Sequence, residues 1–200
     1  MHGRAALLLG LLASSAHAAP EQFTRQQQQA LQRGETVTRF WTTADDAGAG
    51  WAARVVSASP EQVFKVIADV ERYKDFTNRM TVSHITRRDS TSYDFFYRID
   101  MPWPLSDHWC VTRNTHAMDP RRRRYRRRWT LLRGTFVRND GFWLVRPWGK
   151  LQALLLYSVV LRPRGSVPDF VIHHVTRVAL PRSVQTMRRR VLELRQAGKL

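Results

Sequence analysis

The chain has 200 residues and carries 33 Lys or Arg against 16 Asp or Glu, a formal net charge of +17 at pH 7. This length is enough for one domain with a hydrophobic core, and the basic excess favours anionic partners such as phospholipid headgroups. Cys110 is the only cysteine, which excludes an intrachain disulfide. We expect Cys110 to be a small buried residue rather than a reactive thiol.

The N-terminus has the pattern of a secretory signal peptide. Arg4 precedes an apolar run at residues 5–13 that is too short to span a bilayer, and Ala16-His17-Ala18 forms an A-x-A cleavage pattern. The sequence therefore predicts cleavage after Ala18 and a periplasmic or secreted mature protein. Loss of Arg4 leaves 32 basic against 16 acidic residues, or +16. Because an exported protein rarely meets nucleic acid, we expect no nucleic-acid partner.

Two β-prone segments follow a polar lead-in. Residues 19–35 are polar, with a glutamine run at 26–29, and are interpreted as either a mobile segment or a short helix. Residues 36–42 and 51–57 have strand character and flank a turn rich in Gly and Asp at 45–50, which predicts a hairpin.

Two short helices are predicted next. Ser59 is an N-cap candidate, Pro60 suits the first helical position, and Gln62 completes a capping box. Apolar residues then recur at helical spacing to residue 70. Asp69 is a second N-cap candidate, ahead of a helix that includes Tyr73 and Phe76.

A long antiparallel meander occupies the rest of the sequence up to about residue 161. Strands are predicted at 81–87, 93–101, 108–118, 125–132, 136–138, 142–145 and 151–161. In the second of these, alternation places Tyr93, Phe95 and Tyr97 on the interior face. The triplet at residues 139–141, Asn-Asp-Gly, has the chemistry of a hairpin turn.

The last predicted element is a long helix over residues 169–197. Apolar residues at helical spacing, including Val184, Met187 and Val191, predict its buried face. Pro181 lies inside the pattern and is expected to kink or interrupt the helix.

Three segments carry a resemblance to a known superfamily. SPEQVFKVIADVERYKDF resembles the opening of START and polyketide-cyclase-like (SRPBCC) domains, MPWPLSDHWCVTR their Pro-rich loop and following strand, and GSVPDFVIHHVTRVALP their last loop and C-terminal helix. The resemblance covers residues 36–194 and implies an α+β helix-grip fold. In that fold a curved antiparallel sheet wraps a long C-terminal helix, with two short helices between early strands. A START-like lipid-binding domain is therefore expected at residues 36–197.

The resemblance also implies an internal cavity for a lipid or another apolar or amphiphilic molecule. Large aromatic side chains with polar tips suit such a pocket, while the alternative for each of them is ordinary core packing, which is the commoner role of a buried aromatic. Strand alternation and one face of the last helix give these candidates for the cavity: Phe76, Phe95, Tyr97, Trp109, Trp129, Trp143, Tyr157, Val171, Val175 and Val178. Trp103, between two prolines, is expected either at the cavity mouth or folded onto the domain.

The segment RRRRYRRR at residues 121–128 has two interpretations. It is either a patch that contacts an anionic membrane surface or a solvated strand face with its turn. Alternation exposes Arg126 and Arg128 and turns Arg127 inward with Tyr125. Arg127 is thus a candidate contact for a lipid phosphate or carboxylate, or a partner for Asp94 or Asp100.

Motifs of catalysis are weak. Ser106-Asp107-His108 holds the three residue types of a hydrolytic triad, but adjacent residues do not generally align as one. The histidines lack metal-ligand spacing, so we expect no metal and no cofactor. The sequence thus predicts a monomeric carrier of a hydrophobic ligand, which transfers it between membranes. A polyketide cyclase/dehydrase-like or hydrolase-like enzyme using the same cavity is the alternative.

Overall fold

A single curved sheet and one long helix dominate the computed structural model, which describes residues 20, 22–101, 106–164 and 169–200, with only the backbone of 169–176. The helices are α1 (Arg25–Gln32), α2 (Pro60–Ala68), a 3₁₀ helix (Val70–Asp75) and α3 (Asp169–Gln196). The strands are β1 (Val37–Thr42), β2 (Gly48–Val56), β3 (Met80–Arg88), β4 (Ser92–Ile99), β5 (His108–Asp119), β6 (Arg124–Gly134), β7 (Phe136–Pro147) and β8 (Ala153–Pro163).

The eight strands form one antiparallel sheet in the order β1-β2-β8-β7-β6-β5-β4-β3. The predicted hairpin of β1 and β2 is present, with Val37 opposite Ala53 and Thr42 opposite Gly48. Strand β8 then returns beside β2, with Tyr157 opposite Ala52. This α+β arrangement confirms the expected helix-grip fold, in which the meander curls around α3.

The two short helices lie between β2 and β3, as predicted. The Ser59 hydroxyl accepts a hydrogen bond from the Gln62 N–H at 3.2 Å, and the Gln62 side chain accepts one from the Ser59 N–H at 3.0 Å. This reciprocal pair satisfies two N–H groups that a helix start leaves without partners. Asp69 precedes the 3₁₀ helix but makes no side-chain capping bond, so its predicted capping role is wrong.

The hairpin turn predicted at residues 139–141 is wrong, because these residues lie in β7. Residues 139–141 lie inside the strand, where Asn139 is opposite Leu161 and Gly141 is opposite both Val159 and Trp129. A Cβ at Gly141 would collide with the Trp129 ring and with the Ser158 carbonyl. The glycine therefore serves close packing within the sheet rather than a turn, and pairing on both sides overrides the local turn chemistry.

Helix α3 packs on the inner face of the sheet. Leu180, Val184, Met187 and Val191 are all at most 3% exposed, which confirms the predicted buried face. A Cβ at Gly50 of β2 would collide with the Leu180 side chain, so glycine allows the helix to approach the sheet closely. The helix continues through Pro181, so the predicted interruption is wrong, and the alternative of a kink stays a prediction.

The outer face of the sheet is covered near β2 by the segment interpreted as a polar lead-in. Thr24 and Gln27 form a second capping box at the start of α1. Leu31 is fully buried and Phe23 packs edge-on against Trp51 at 5.9 Å between ring centroids. The sheet thus has a second apolar layer that the polar composition of the segment hides. No helix in the described residues is both long and apolar enough to cross a membrane.

Candidate ligand-binding site

Aromatic side chains from β4, β6, β7 and β8 line the inner face of the sheet. Phe95, Trp129 and Trp143 are buried there, as the alternation of β4, β6 and β7 predicts. Tyr157 of β8 lies 4.4 Å from Trp143 and is stacked on Trp129 at 5.6 Å, both between ring centroids. These contacts form a continuous aromatic wall opposite α3.

Tyr97 and Tyr157 differ from the other members of this wall. Both belong to the core by their packing, but each keeps part of its surface accessible. Burial nevertheless raises the pKa of Tyr157 to about 12 and that of Tyr97 well above its ordinary value. Both rings are therefore strongly desolvated and yet keep some accessible surface beside the aromatic wall.

Asn139 links several buried polar groups next to Tyr97. Its Oδ1 accepts a hydrogen bond from the Trp129 indole N–H at 3.1 Å, and its Nδ2 donates to the Tyr97 hydroxyl at 2.5 Å. The Cys110 Sγ lies 3.5 Å from the same Nδ2. Burial raises the pKa of the Cys110 thiol, consistent with the expected unreactive, buried cysteine. The sequence predicts a hairpin turn at Asn139, and no sequence signal identified this residue as part of the site.

Arg127 points inward, as alternation on β6 predicts, and is 5% exposed. Its Nη1 donates to the Ile67 carbonyl at 2.9 Å and to the Tyr73 hydroxyl at 3.0 Å. The guanidinium lies 5.2 Å from the Tyr73 ring centroid and 5.5 Å from that of Trp129. The anticipated pairing with Asp94 or Asp100 is wrong. Those carboxylates lie beside Arg113 and Arg98 respectively.

Tyr93 and His116 lie near Arg127 and were not predicted as site residues. The Tyr93 hydroxyl and the His116 Nε2 are 3.1 Å apart. Burial, aided by the charges of Arg127 and Arg88, lowers the pKa of His116 to about 4. The imidazole is therefore neutral near pH 7. The inward alternation of Tyr93 was visible in the sequence, but the burial of His116 was not.

Trp109 is the cavity candidate that the structure contradicts. It is 37% exposed and stacks near Phe96 on the outer face, with ring centroids 6.2 Å apart. Cys110 is opposite the inward-facing Tyr97, so Cys110 and the residues two apart from it on β5 face inward. Trp109, one position earlier, therefore faces outward. A one-residue error in phase at the start of the strand therefore placed Trp109 on the wrong face.

The other candidates are only partly placed. Phe76 is partly buried at the end of the 3₁₀ helix, and Val178 is partly buried on α3. Val171 and Val175 lie within α3, but their side chains are outside the described residues. Trp103 and residues 1–18, the predicted signal peptide, also lie outside them. The ligand-contact role of the whole set therefore stays a prediction.

A cleft of about 270 Å³ opens between α2, the 3₁₀ helix and the end of α3. Its lining includes the apolar Val66, Phe76 and Leu194 and the charged Lys65, Asp69 and Arg190. The Arg190 guanidinium lies 5.4 Å from the Phe76 ring centroid. The cleft therefore combines apolar side chains with mainly basic ones.

Arginines of the segment at residues 121–128 lie in four different environments. Arg123 binds Glu61 at 2.7 Å, while Arg127 is the internal residue described above. Arg126 covers the Phe142 ring at 4.0 Å on the outer face. Arg124 and Arg128 are exposed on that face, where Arg146 of β7 joins them. We call Arg124, Arg126, Arg128 and Arg146 the outer arginine cluster.

The adjacent Ser106, Asp107 and His108 do not form a triad. Asp107 is bound to Arg98 and accepts the Met101 N–H at 3.1 Å. His108 Nδ1 lies 3.2 Å from the Thr135 hydroxyl instead. Over the described ranges, no group of three His, Cys, Asp or Glu side chains could hold a metal ion.

With this geometry in place, the sequence can be compared with known proteins. The profile of the family described as polyketide cyclase / dehydrase and lipid transport matches residues 56–188. The chain belongs to this family. The match spans α2, the whole of β3 to β8 and most of α3, and so includes the aromatic wall. No curated protein matches the sequence.

Solved structures with the same fold include both lipid-transfer proteins and a cyclase. Human STARD10 has 14% identity and a TM-score of 0.70, over 82% of this chain and 72% of that protein. A STAR-related lipid transfer protein from Xanthomonas axonopodis has 16% identity and a TM-score of 0.61, over 77% and 98%. The Zhui aromatase/cyclase from Streptomyces sp. R1128 has 14% identity and a TM-score of 0.60, over 81% and 98%. At these identities the likeness shows the fold of this family member.

Proposed function

We propose that this family member binds a lipid or another apolar or amphiphilic molecule between the sheet and α3. The observation that carries the proposal is the accessible surface that remains on two desolvated rings, Tyr97 and Tyr157, from which we infer an internal recess beside the aromatic wall. Membership of a family that includes lipid transport adds support. Rings with a polar tip suit a ligand that is apolar along most of its length and polar at one end.

The binding energy in this proposal comes from apolar burial. Removing about 300 Å² of ligand surface from water at ~25 cal/mol/Å² gives roughly 7 kcal/mol before association costs are subtracted. A rigid, already formed recess keeps those costs low. The aromatic wall supplies that rigidity, because Trp129, Trp143 and Tyr157 hold one another in place.

Transfer of the ligand between membranes is the finer part of the proposal. The ligand would enter through the cleft beside α2 and the 3₁₀ helix. Three apolar residues of this cleft, Val66, Phe76 and Leu194, also belong to the main core or pack against it. The outer arginine cluster and the net charge of +17 would hold the protein near an anionic membrane surface.

The A-x-A pattern at residues 16–18 supports export to the periplasm or beyond. Mass spectrometry of the exported protein would refute cleavage after Ala18 by finding residues 1–18 retained.

Tryptophan quenching tests the location of the ligand. A bromine-labelled fatty acyl lipid should quench the fluorescence of the delipidated protein and displace a dansyl-labelled analogue. Trp143 lies in the aromatic wall and Trp109 on the outer face. We expect Trp143→Phe to remove much of the quenching and the matched Trp109→Phe to leave it nearly unchanged. Absence of binding by native mass spectrometry and in the quenching assay would refute the function.

An enzyme using the same recess is a second candidate. It is favoured by the convergence of Tyr73, Tyr93, His116 and Arg127 at one place in the interior. Against it, burial raises the pKa of both tyrosines, so their hydroxyls stay protonated and cannot act as bases near pH 7. Conversion of a linear poly-β-carbonyl substrate to a cyclised product, lost in His116→Gln, would favour the enzyme.

A further inference from the structure

Arg127 is a buried charge without a charged partner among the described residues. Its two hydrogen bonds go to neutral oxygens, the Ile67 carbonyl and the Tyr73 hydroxyl, and its Nε, also buried, has no partner. Burying a guanidinium without an opposite charge is costly, because the interior solvates an ion far less well than water does.

The titratable groups around Arg127 do not neutralise it. Burial raises the pKa of Tyr73, Tyr93 and Tyr157, so these phenols are uncharged near pH 7. The pKa of His116 falls to about 4, so the imidazole is uncharged as well. Among the described residues, these groups leave the positive charge of Arg127 without a neutralising partner.

Two carboxylates on elements that pack around this part of the interior are engaged with other arginines. Asp94 forms a two-point pair with Arg113 on the outer face, with distances of 2.9 and 3.0 Å. Glu61 forms a similar pair with Arg123, with distances of 2.9 and 2.7 Å. The C-terminal end of α2 offers Arg127 only the partial negative charge of its carbonyls, through Ile67. Because no carboxylate of the described residues pairs with Arg127, we look to a bound ligand for a full negative charge at this place.

We infer that the ligand of the proposed recess is an anionic amphiphile, whose carboxylate or phosphate lies against Arg127 among the hydroxyls of Tyr93 and Tyr157. This inference rests on the proposed function and narrows it. Guanidinium groups bind carboxylate and phosphate through charge-assisted hydrogen bonds, and the neighbouring phenols are additional donors. The apolar tail would extend from there along the aromatic wall.

A structural role for Arg127 accounts for part of the geometry. Its bonds to Ile67 and Tyr73 tie α2 and the 3₁₀ helix to β6, so its loss would lower stability whatever the ligand is. Such a tether would act equally on charged and neutral ligands. Discrimination between ligands of different charge is therefore the quantity that separates the two roles.

The first test uses the unmodified protein and ligands that share one C18:1 chain. Oleate, 1-oleoyl lysophosphatidate and oleyl alcohol are compared by displacement of one fluorescent fatty acid analogue at pH 7.4. We expect one or both anions to bind about tenfold or more tightly than the alcohol, as a hydrogen-bonded charge pair requires. The stronger anion identifies carboxylate or phosphate as the headgroup. Equal binding of all three, or a preference for the alcohol, would overturn the inference and leave the proposed function intact.

The second test assigns the preference to Arg127. Arg127→Gln removes the charge but keeps an amide donor, Arg127→Lys keeps the charge, and Arg133→Gln makes the same change at an exposed position of the same strand, outside the outer arginine cluster. We expect the ratio of anion to alcohol affinity to fall toward one in Arg127→Gln, to survive largely in Arg127→Lys, and to be unchanged in Arg133→Gln. Retention of the full ratio in a folded Arg127→Gln would contradict the assignment.

A third measurement does not depend on any variant that folds poorly. The carboxyl carbon of ¹³C-labelled oleate bound to the unmodified protein is titrated by NMR. Beside a buried guanidinium its apparent pKa should fall below that of the same carboxyl in a phospholipid vesicle. An unchanged or raised pKa would show that the headgroup lies away from Arg127. Failure of oleate, lysophosphatidate and oleyl alcohol alike to bind would instead count against the proposed function.

Discussion

At the scale of single residues, Arg127 shows how position on a strand separates identical side chains. It belongs to a run of seven arginines and one tyrosine at residues 121–128. Period-two alternation alone predicts that Arg127 lies with Tyr125 and Trp129 on the inner face, and the structure agrees. The identity of its partners was not predictable, because Ile67 and Tyr73 are 60 and 54 residues away in the chain.

The neutral state of His116 gives the folded protein a specific pH dependence. Its pKa falls from 6.5 to about 4 on folding, so between these values the unfolded chain binds the proton and the folded chain does not. The free energy of unfolding therefore decreases as the pH falls through this window, by about 2 kcal/mol for a half-buried group. Urea unfolding at pH 7 and pH 4.5 should show this loss in the unmodified protein and a smaller loss in His116→Gln. An equal loss in both would contradict the account, and His84→Gln controls for removal of an exposed histidine.

At the scale of elements, α1 is a packed helix in a segment whose polar composition does not indicate packing. The segment was interpreted as a mobile polar lead-in or a short helix, since its glutamine run gives no clear apolar stripe. The structure has a capped helix whose single buried side chain, Leu31, joins Phe23 and Trp51 on the outer face. Local signals predicted α2 better because Ser59, Pro60 and Gln62 specify a helix start without tertiary help.

Two leucines distinguish the packed helix from a mobile lead-in. Leu31 is fully buried, whereas Leu151 is 83% exposed. We expect Leu31→Ala to lower the free energy of unfolding by about 2–5 kcal/mol and Leu151→Ala to change it by less than about 0.5 kcal/mol. Chemical denaturation measures both. Similar small effects for the two variants would show that α1 does not pack against the sheet in solution.

Strand phase is the element-level feature that the sequence determined least reliably. Phe95 and Tyr97 were placed correctly because β4 alternates over its whole length. Trp109 was misplaced because it lies at the beginning of β5, where only one strand residue precedes it to establish the alternation. Asn139 was assigned to a turn because its neighbours have turn chemistry, although pairing of β7 with β6 and β8 holds the segment extended. In both cases contacts with distant strands decided the outcome.

At the scale of the whole molecule, the distribution of charge predicts where a membrane would be met. The outer arginine cluster places four arginines on adjacent strands, and mutual repulsion with Arg124 and Arg128 contributes, after burial, to the lowered pKa of Arg126. Like charges held together are destabilising unless an anion neutralises them. An anionic bilayer would supply many phosphates and carboxylates over such a surface.

Vesicle co-sedimentation tests this surface. Binding to vesicles with 30% phosphatidylserine, as the probe composition, should exceed binding to pure phosphatidylcholine and should fall steeply between about 0.05 and 0.5 M salt, because added ions screen the attraction. Arg124→Glu with Arg128→Glu should weaken binding more than Arg177→Glu with Arg182→Glu, which changes the net charge equally on α3. An equal or larger loss with the α3 pair would place the contact elsewhere.

The sequence by itself determined the order of elements, the alternation of most strands, the capped start of α2 and the family. These features depend on residues close together in the chain, where caps, periodicity and turn breakers act. Only the tertiary structure decided which polar groups meet: Asn139 with Trp129 and Tyr97, His116 with Tyr93, and Arg127 with the end of α2. Such contacts depend on the register of strands far apart in sequence, and a shift of one residue would exchange the inner and outer faces.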